Sequence, residues 1–501
     1  MALKNPKVFY NWLSLTGFII TANSLILILI LFVLSVFSET NNTYLGLIIY
    51  LILPTFLILG LLLIPIGVLL NIRKKKSSEK EIAPWPIINL NERRDWASIV
   101  KIFLITLIFL VASAMGSYRA FQYTESVEFC GTLCHKEMEP EYVTYQHSAH
   151  AKVTCVECHV GQGADWYVKS KISGLYQVYS VLFKKYPKPI ATPIHSLRPV
   201  RETCERCHWP EKFYSRKYRS QRSYLTDSAN TEWNVTLLMK IGPEFSPMGL
   251  TEGIHWHINT NFKIEYISAG DSRENIPWVK LTNLKTGETK TFIDEENPVD
   301  KKNMGSLEIR NMDCMDCHNR PSHLYKSAAD FIDIAMISGI LPKNVPFIKK
   351  AAMLALKDPF PDLETAMKSI ETNMLGFYNT QHPEILKLKE TAIRKVIKDV
   401  QTEYKLNAFP YMKADASQYP NHIGHLESEG CFRCHSGRHK TAKGESISRD
   451  CNICHTIIAQ GPTGLIVNAA INSTLDFQHP TELKGKSKTA FCSDCHLSLY
   501  N

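Results

Sequence analysis

All fourteen cysteines of the chain fall into seven close pairs, and a histidine follows each pair at once. The groups are Cys130/Cys134-His135, Cys155/Cys158-His159, Cys204/Cys207-His208, Cys314/Cys317-His318, Cys431/Cys434-His435, Cys451/Cys454-His455 and Cys492/Cys495-His496. Two thiols with an adjoining imidazole form the attachment signature of a c-type haem. The thiols add across the porphyrin vinyl groups, and the imidazole lies beneath the iron as its proximal ligand. Zinc sites and disulfides also use close cysteine pairs, but neither requires histidine at the next position. The pattern implies seven covalently bound haems.

Seven irons with proximal histidines take up to seven further ligands, and eleven histidines lie outside the motifs. Proximity to a motif selects His150, His195, His323, His425, His439 and His479 as distal candidates. His255 and His257 flank Trp256 on what reads as one strand face; one of them, written here as His257, joins the candidates. His147, His382 and His422 are less favoured, the ordinary role of such a histidine being a surface or hydrogen-bonded side chain.

The elements that must position these groups begin in a membrane. Residues 12 to 37, 44 to 70 and 97 to 117 are apolar runs long enough to span a bilayer, the third with one interfacial Lys101. Lys4 and Lys7 precede the first span, and Arg73, Lys74, Lys75, Lys76, Lys80, Arg93 and Arg94 lie between the second and third. The positive-inside rule makes the amino terminus and the 71 to 96 loop cytoplasmic, so the chain after Tyr118 is periplasmic. The protein is therefore expected to be a multi-pass protein of the cytoplasmic membrane. No histidine precedes His135, so the spans cannot hold a bis-histidine b-type haem.

Beyond the membrane the expected organisation is a trihaem region over 118–212, a β-rich insertion over 213–310, a fourth haem with a helical segment over 311–405, and a C-terminal trihaem region over 406–501. Residues 255 to 267 alternate apolar and polar and read as a half-buried strand, with a hairpin over 276 to 293 turning at Gly287. Residues 325 to 405 read as helices broken at Pro342, Pro346, Pro359, Pro361 and Pro383. The expected fold is thus a membrane-anchored multihaem cytochrome c: three N-terminal transmembrane helices, then a mostly α and irregular, haem-packed periplasmic region with a small β insertion. Segments such as 431 to 455 are too short to bury a core of their own, so the haem rings should supply it, leaving the apoprotein largely unfolded outside the membrane.

From Phe129 to about Lys212 the chain resembles the NapC/NirT family of membrane-anchored quinol dehydrogenases. The resemblance rests on F-C-G-T-L-C-H-K-E-M, then Y-x-x-S-x-H at Tyr145 to His150, then C-V-E-C-H-V. The remainder, with H-W-H-I, M-D-C-M-D-C-H-N-R-P-S-H and G-C-F-R-C-H-S-G-R-H-K, is similar to longer seven-haem members used by metal-respiring bacteria. The resemblance implies menaquinol from the membrane quinol pool as donor and a periplasmic cytochrome or reductase as acceptor. It also implies Met138 as axial ligand of the haem nearest the membrane. Two features depart from the family: three residues separate Cys130 from Cys134, and the family usually has one anchor helix.

Quinol oxidation releases two protons, so the site needs a base beside an accessible haem edge. Ile172, Leu175, Tyr176, Tyr179, Leu182 and Phe183 form one apolar helical face suited to the bilayer surface, with Asp165, Lys169 and Lys171 at its start as candidate proton-handling residues. Snorkelling is the plainer role for both lysines. Electrons should enter at the first motif and leave near the last. Two other functions fit the motifs: an electron-wire subunit without a quinol site, and a terminal reductase of nitrite or hydroxylamine type, although no C-x-x-C-K occurs. The formal charge of +9 is offset by haem propionates and carries no nucleic-acid inference. A homo-oligomer or a complex subunit are both compatible with the sequence.

Overall fold

The computed structural model describes residues 11–37, 53–76, 91–93, 96–97, 100, 104, 115–116, 118–161, 164–192, 199–210, 213–242, 253–299, 307–481 and 490–499. The chain divides into two compact units, Met1–Met138 and Glu139–Asn501.

In the first unit, α1 (Trp12–Phe37) and α2 (Leu53–Lys76) pack together as a pair. Small residues allow the approach: a Cβ on Gly60 would meet the Gly17 carbonyl at 2.8 Å and Thr21 Oγ1 at 2.5 Å. Ser14 adds a bond across the pair, its Oγ donating to the Ile64 carbonyl at 3.0 Å. These are the helices long and apolar enough to cross a bilayer among the described residues. The third expected span, 97 to 117, falls largely outside them. Further on lie α3 (Val127–Thr132), capped by Ser126, and α4 (His135–Gln146).

The second unit continues with α5 (Cys155–His159), α6 (Ala164–Leu182) and α7 (Val200–Cys204). Two antiparallel sheets follow. One contains β1 (Arg216–Tyr224), β2 (Glu232–Lys240), β8 (His455–Pro462) and β9 (Val467–Asn468), in that spatial order. The other runs β6 (Arg310–Asn311), β3 (Phe262–Ala269), β4 (Asn275–Asn283), β5 (Thr289–Asp294) and β7 (His439–Lys440). Strands β7 and β8 come from the C-terminal haem region, so pairing stitches that region into both sheets across the boundary expected at 405/406. The hairpin turning at Gly287 is present as β4–β5, with Gly287 at φ +73°.

The strand read over 255 to 267 is shorter than its alternation suggests. Ile254–Ile258 forms a 3₁₀ turn, and β3 starts only at Phe262. Asn259 breaks the run: its Oδ1 accepts the Asn261 N–H at 2.8 Å and its carbonyl accepts the Phe262 N–H at 3.1 Å.

Helices α8 (Ala328–Ile337), α9 (Ile348–Ala355), α10 (Leu363–Gln381) and α11 (Pro383–Asn407) form the haem-free segment. Ser327 and Asp362 cap α8 and α10, Pro383 occupies the first turn of α11, and the other four prolines lie between helices. Their apolar faces meet in a core that includes Ile332, Met336, Ile348, Ile370, Met374 and Ile393. This segment has an apolar interior made of side chains, unlike the short motif-bearing stretches around it. Helix α12 (Cys492–Leu499) closes the described chain.

Candidate metal centres

The third, fourth and fifth motifs each close on a short helical turn. The His208 N–H bonds the Cys204 carbonyl at 2.9 Å, His318 bonds Cys314 at 2.8 Å and His435 bonds Cys431 at 3.0 Å. Asp313 caps the fourth motif and Asp450 the sixth through their side chains.

No disulfide joins the fourteen cysteines, all of which lie among the described residues. Enclosure is uneven, which the uniform motif does not foretell. Cys130, Cys134, Cys155, Cys158, Cys204, Cys314, Cys434, Cys454 and Cys492 are half-buried, whereas Cys207, Cys317, Cys431, Cys451 and Cys495 are exposed. Cys207 and Cys495 are thus open, with Cys317, Cys431 and Cys451, as a thiol that bonds a vinyl group at the porphyrin rim has to be. In the third and seventh pairs the first thiol is the more enclosed member; the Cys314 thiol beside it, then burial, pushes the Cys204 pKa up, and burial pushes up that of Cys492.

Six motif histidines each face a second histidine from elsewhere in the chain. The ring centroids are 6.1 Å apart for His208 with His150, 6.3 Å for His159 with His323 and 6.3 Å for His318 with His255. They are 5.8 Å for His435 with His257, 6.1 Å for His455 with His425 and 6.1 Å for His496 with His479. A metal–imidazole bond of about 2.0 Å, with ~1.1 Å more from nitrogen to ring centre, separates two imidazoles bound on opposite sides of one metal by roughly 6.2 Å. The six gaps fit one iron each.

The second histidines are also oriented for this. Nδ1 of His150 bonds the Pro321 carbonyl at 3.0 Å, that of His323 the Glu141 carbonyl at 2.9 Å and that of His255 the Ile241 carbonyl at 3.0 Å. His257 bonds Ile254 at 2.8 Å in the same way, whereas Nδ1 of His479 lies 2.8 Å from the Thr481 carbonyl and 3.2 Å from the Thr481 N–H, which donates to it. In His150, His323, His255 and His257 the partner carbonyl only accepts, so Nδ1 carries the proton and Nε2 keeps its lone pair for a metal. Burial lowers the basicity of His257, His318, His425, His435, His455 and His496, and takes His159 down to about 4, favouring the neutral ligating form.

The pairing does not follow sequence proximity. His150 stands just before the second motif yet faces the third, while His323 follows the fourth and faces the second. His425 precedes the fifth and faces the sixth. Both His255 and His257 face a motif histidine, where the strand reading expects only one to ligate, because a single 3₁₀ turn points them to the fourth and fifth motifs.

From the second motif to the seventh, successive motifs are neighbours. Arg206 pairs with Glu157 at 3.1 Å, and Cys204 lies close to Cys314, Cys317 to Cys431, Cys454 to Cys431 and Cys492 to Cys451. The fourth and fifth are locked by residues that sequence reasoning missed. Asp316, between Cys314 and Cys317, accepts from Tyr266 at 2.7 Å, Arg310 at 2.9 Å and Arg273 at 3.0 Å. Arg433, between Cys431 and Cys434, donates to the Asp316 carbonyl at 2.7 Å and to the Arg273 carbonyl at 2.7 Å. The one available signal was a charged residue inside each motif.

Other expected site residues lie differently. His439 is fully buried with Nε2 bonded to the Ile276 carbonyl at 2.7 Å, which commits the nitrogen a metal would need. His422 bonds Glu274 at 2.6 Å, His382 stacks on Phe347, and Nδ1 of His147 bonds the Val143 carbonyl. His195 and the side chains of His135 and Asp165 fall outside the described residues. Met138 is half-buried, one turn after His135 in α4, with its N–H on the Cys134 carbonyl at 2.9 Å. Lys169 lies over the Trp166 ring at 4.5 Å, Lys171 is half-buried, and α6 exposes Ile172, Leu175, Tyr176, Tyr179 and Leu182, with Phe183 just beyond it.

Covalent attachment motifs and facing imidazoles define a membrane-anchored multihaem c-type cytochrome that transfers electrons. The chain belongs to the NapC/NirT cytochrome c family, whose N-terminal region matches residues 92–192. It is 41% identical to the cytochrome c-type protein ImcH of Geobacter sulfurreducens, across 99% of this chain and 96% of that protein. It is 31% identical over 114 residues to the cytochrome c-type protein NrfH of Wolinella succinogenes, covering 22% of this chain and 63% of that one. No solved structure matches the chain.

Proposed function

We propose that this protein oxidises menaquinol at the periplasmic surface of the cytoplasmic membrane and passes the electrons, through seven covalently bound haems, to a periplasmic cytochrome or reductase. The observation that carries this reading is the set of six facing histidine pairs, each spaced for one iron. Bound haem supplies reversible one-electron chemistry, and the protein sets its ligands and surroundings. His150, His323, His255, His257, His425 and His479 are the distal ligands in this reading, with Met138 beside the first motif. Each facing pair would hold an iron between two imidazoles and leave no place for a substrate, which suits electron transfer. That disfavours the terminal-reductase alternative.

The quinol half rests on α6 and on family resemblance. Its exposed apolar face, led by Leu175, Tyr176 and Leu182, suits the bilayer interface, where a quinol would approach. Lys169, Lys171 and Asp165 at its first turns are the candidate groups for receiving the two protons. Three spans with the basic 71 to 96 loop in the cytoplasm put the motifs on the periplasmic side.

The test is anaerobic addition of a menaquinol analogue to the purified full chain, followed optically, alongside an intact-mass count of attached haem. Seven haems per chain and reduction by quinol are expected, with slower reduction in Lys169→Ala. A chain reduced by dithionite but not by quinol would leave only the electron-wire reading.

A further inference from the structure

We propose that the exposed apolar surface formed by residues 465–477 is the docking surface for the electron acceptor, and that it takes a periplasmic c-type cytochrome presenting an uncharged, apolar rim around its own haem. The proposal rests on the electron-carrier reading above and names the partner face for it.

Leu465 is 76% exposed, Ile466 44%, Val467 50%, Ile471 94% and Phe477 56%. No charged residue occurs from Thr456 to Leu475, and Asp476, exposed beside Phe477, stands at the edge of the patch. Such a surface would ordinarily be mobile, yet this one is held to β8 by its backbone. The Ala469 N–H bonds the Ile458 carbonyl at 2.9 Å, and the Leu475 N–H bonds Ile457 at 2.9 Å. Gln460, itself buried, donates to the Asp476 carbonyl at 2.6 Å and accepts from the Gln478 N–H at 3.0 Å. A rigid apolar face loses little conformational freedom when covered.

Its position ties it to redox work. Strand β8 starts at His455 of the sixth motif, and the Phe477 ring lies 6.3 Å from that of His479, which faces His496 of the seventh. A partner seated here would lie beside the end of the motif series.

Area and charge select the occupant. At ordinary side-chain areas the five residues expose roughly 600 Å² of apolar surface, at the upper end of what monomers leave open. A facing partner would bring the total to about 1,200 Å², the scale of transient redox encounters and short of the roughly 2,000 Å² or more of an obligate homodimer. With Asp476 as a single carboxylate at its edge, the surface offers little electrostatic steering, so a strongly charged partner face would gain little from it.

The experiment uses the full chain in lipid nanodiscs, reduced chemically so that the outcome does not depend on quinol oxidation. It is mixed in a stopped-flow instrument with a purified monohaem cytochrome c as probe. Ile471→Lys and Ile471→Glu should each slow the second-order transfer by about tenfold, the loss expected on removing one central apolar anchor. Wild-type transfer should change by less than about twofold between low and high salt. Leu388→Lys, a control at an equally open position on α11, should transfer as wild type. Leu465→Lys repeats the test if either Ile471 variant loses haem absorbance. Wild-type rates in the patch variants, or opposite effects of Lys and Glu, would overturn the proposal. So would sedimentation showing that Ile471→Lys splits a dimer, since a second copy would then be the occupant. If instead the quinol reading fails, the menaquinol analogue leaves the chain oxidised while these transfer rates stand.

Discussion

At the residue scale, the chemistry of the chain is carried by which histidine faces which. His150 reaches past the second motif to His208, and His323 reaches back to His159, while His479 faces the motif nearest to it in sequence, at His496. This assignment is testable by pairing substitutions. His150→Ala should convert one low-spin haem to high-spin, and adding His208→Ala should affect no further haem. Adding His159→Ala instead should affect a second one. Electron paramagnetic resonance counts the species, and a single altered haem in the His150/His159 double variant would refute the crossed pairing. The motifs and most of the ligand candidates were legible in the sequence, because thioether chemistry fixes residue types and spacing. The partner of each was not, because proximity along the chain says nothing about which face of a porphyrin a later segment meets. Nor was the uneven exposure of the thiols, since the same spacing leaves Cys207 and Cys495 open and Cys158 half-buried. His439 shows the converse: four residues after His435, it spends its Nε2 on the Ile276 carbonyl inside a sheet.

At the element scale, periodicity located the helical segment and the β4–β5 hairpin because each buries one face against its own neighbours. Alternation misled at 255 to 261, where an Asn259 turn overrides a pattern that could have been a strand. The two-residue strands β6, β7 and β9 have no sequence signature of their own, since they exist only by pairing to a sheet edge already present. Within the helical segment, Lys349 is 3% exposed and its Nζ donates to Asp333 at 2.7 Å and to the Ala329 carbonyl at 2.9 Å. Burial lowers the basicity of Lys349 and raises the carboxyl of Asp333, so desolvation works against both charges. Removing one partner should therefore hurt more than removing both. Lys349→Ala should destabilise this segment by about 3–5 kcal/mol, whereas Lys349→Met with Asp333→Leu should recover most of the loss. Thermal melting followed by far-ultraviolet circular dichroism measures both, and equal losses in the two variants would contradict the account.

At the scale of the whole molecule, the second unit is organised around a chain of motifs, with two sheets and a helical segment filling the space beside them. Each sheet recruits a strand from the C-terminal region, so the fifth and sixth motifs are held by elements that begin well over a hundred residues earlier in β2 and β5. Asp316 and Arg433 do the same at closer range, fixing the fourth motif against the fifth. Such cross-linking would keep irons bound at neighbouring motifs at set separations, which electron transfer requires. The proposed function requires six irons each held between two histidines. Near-infrared magnetic circular dichroism of the oxidised full chain, calibrated against its total haem, measures this directly. Six bis-histidine haems out of seven are expected, with the seventh carrying a different ligand set. Five or fewer bis-histidine haems in a fully loaded chain would contradict that proposal.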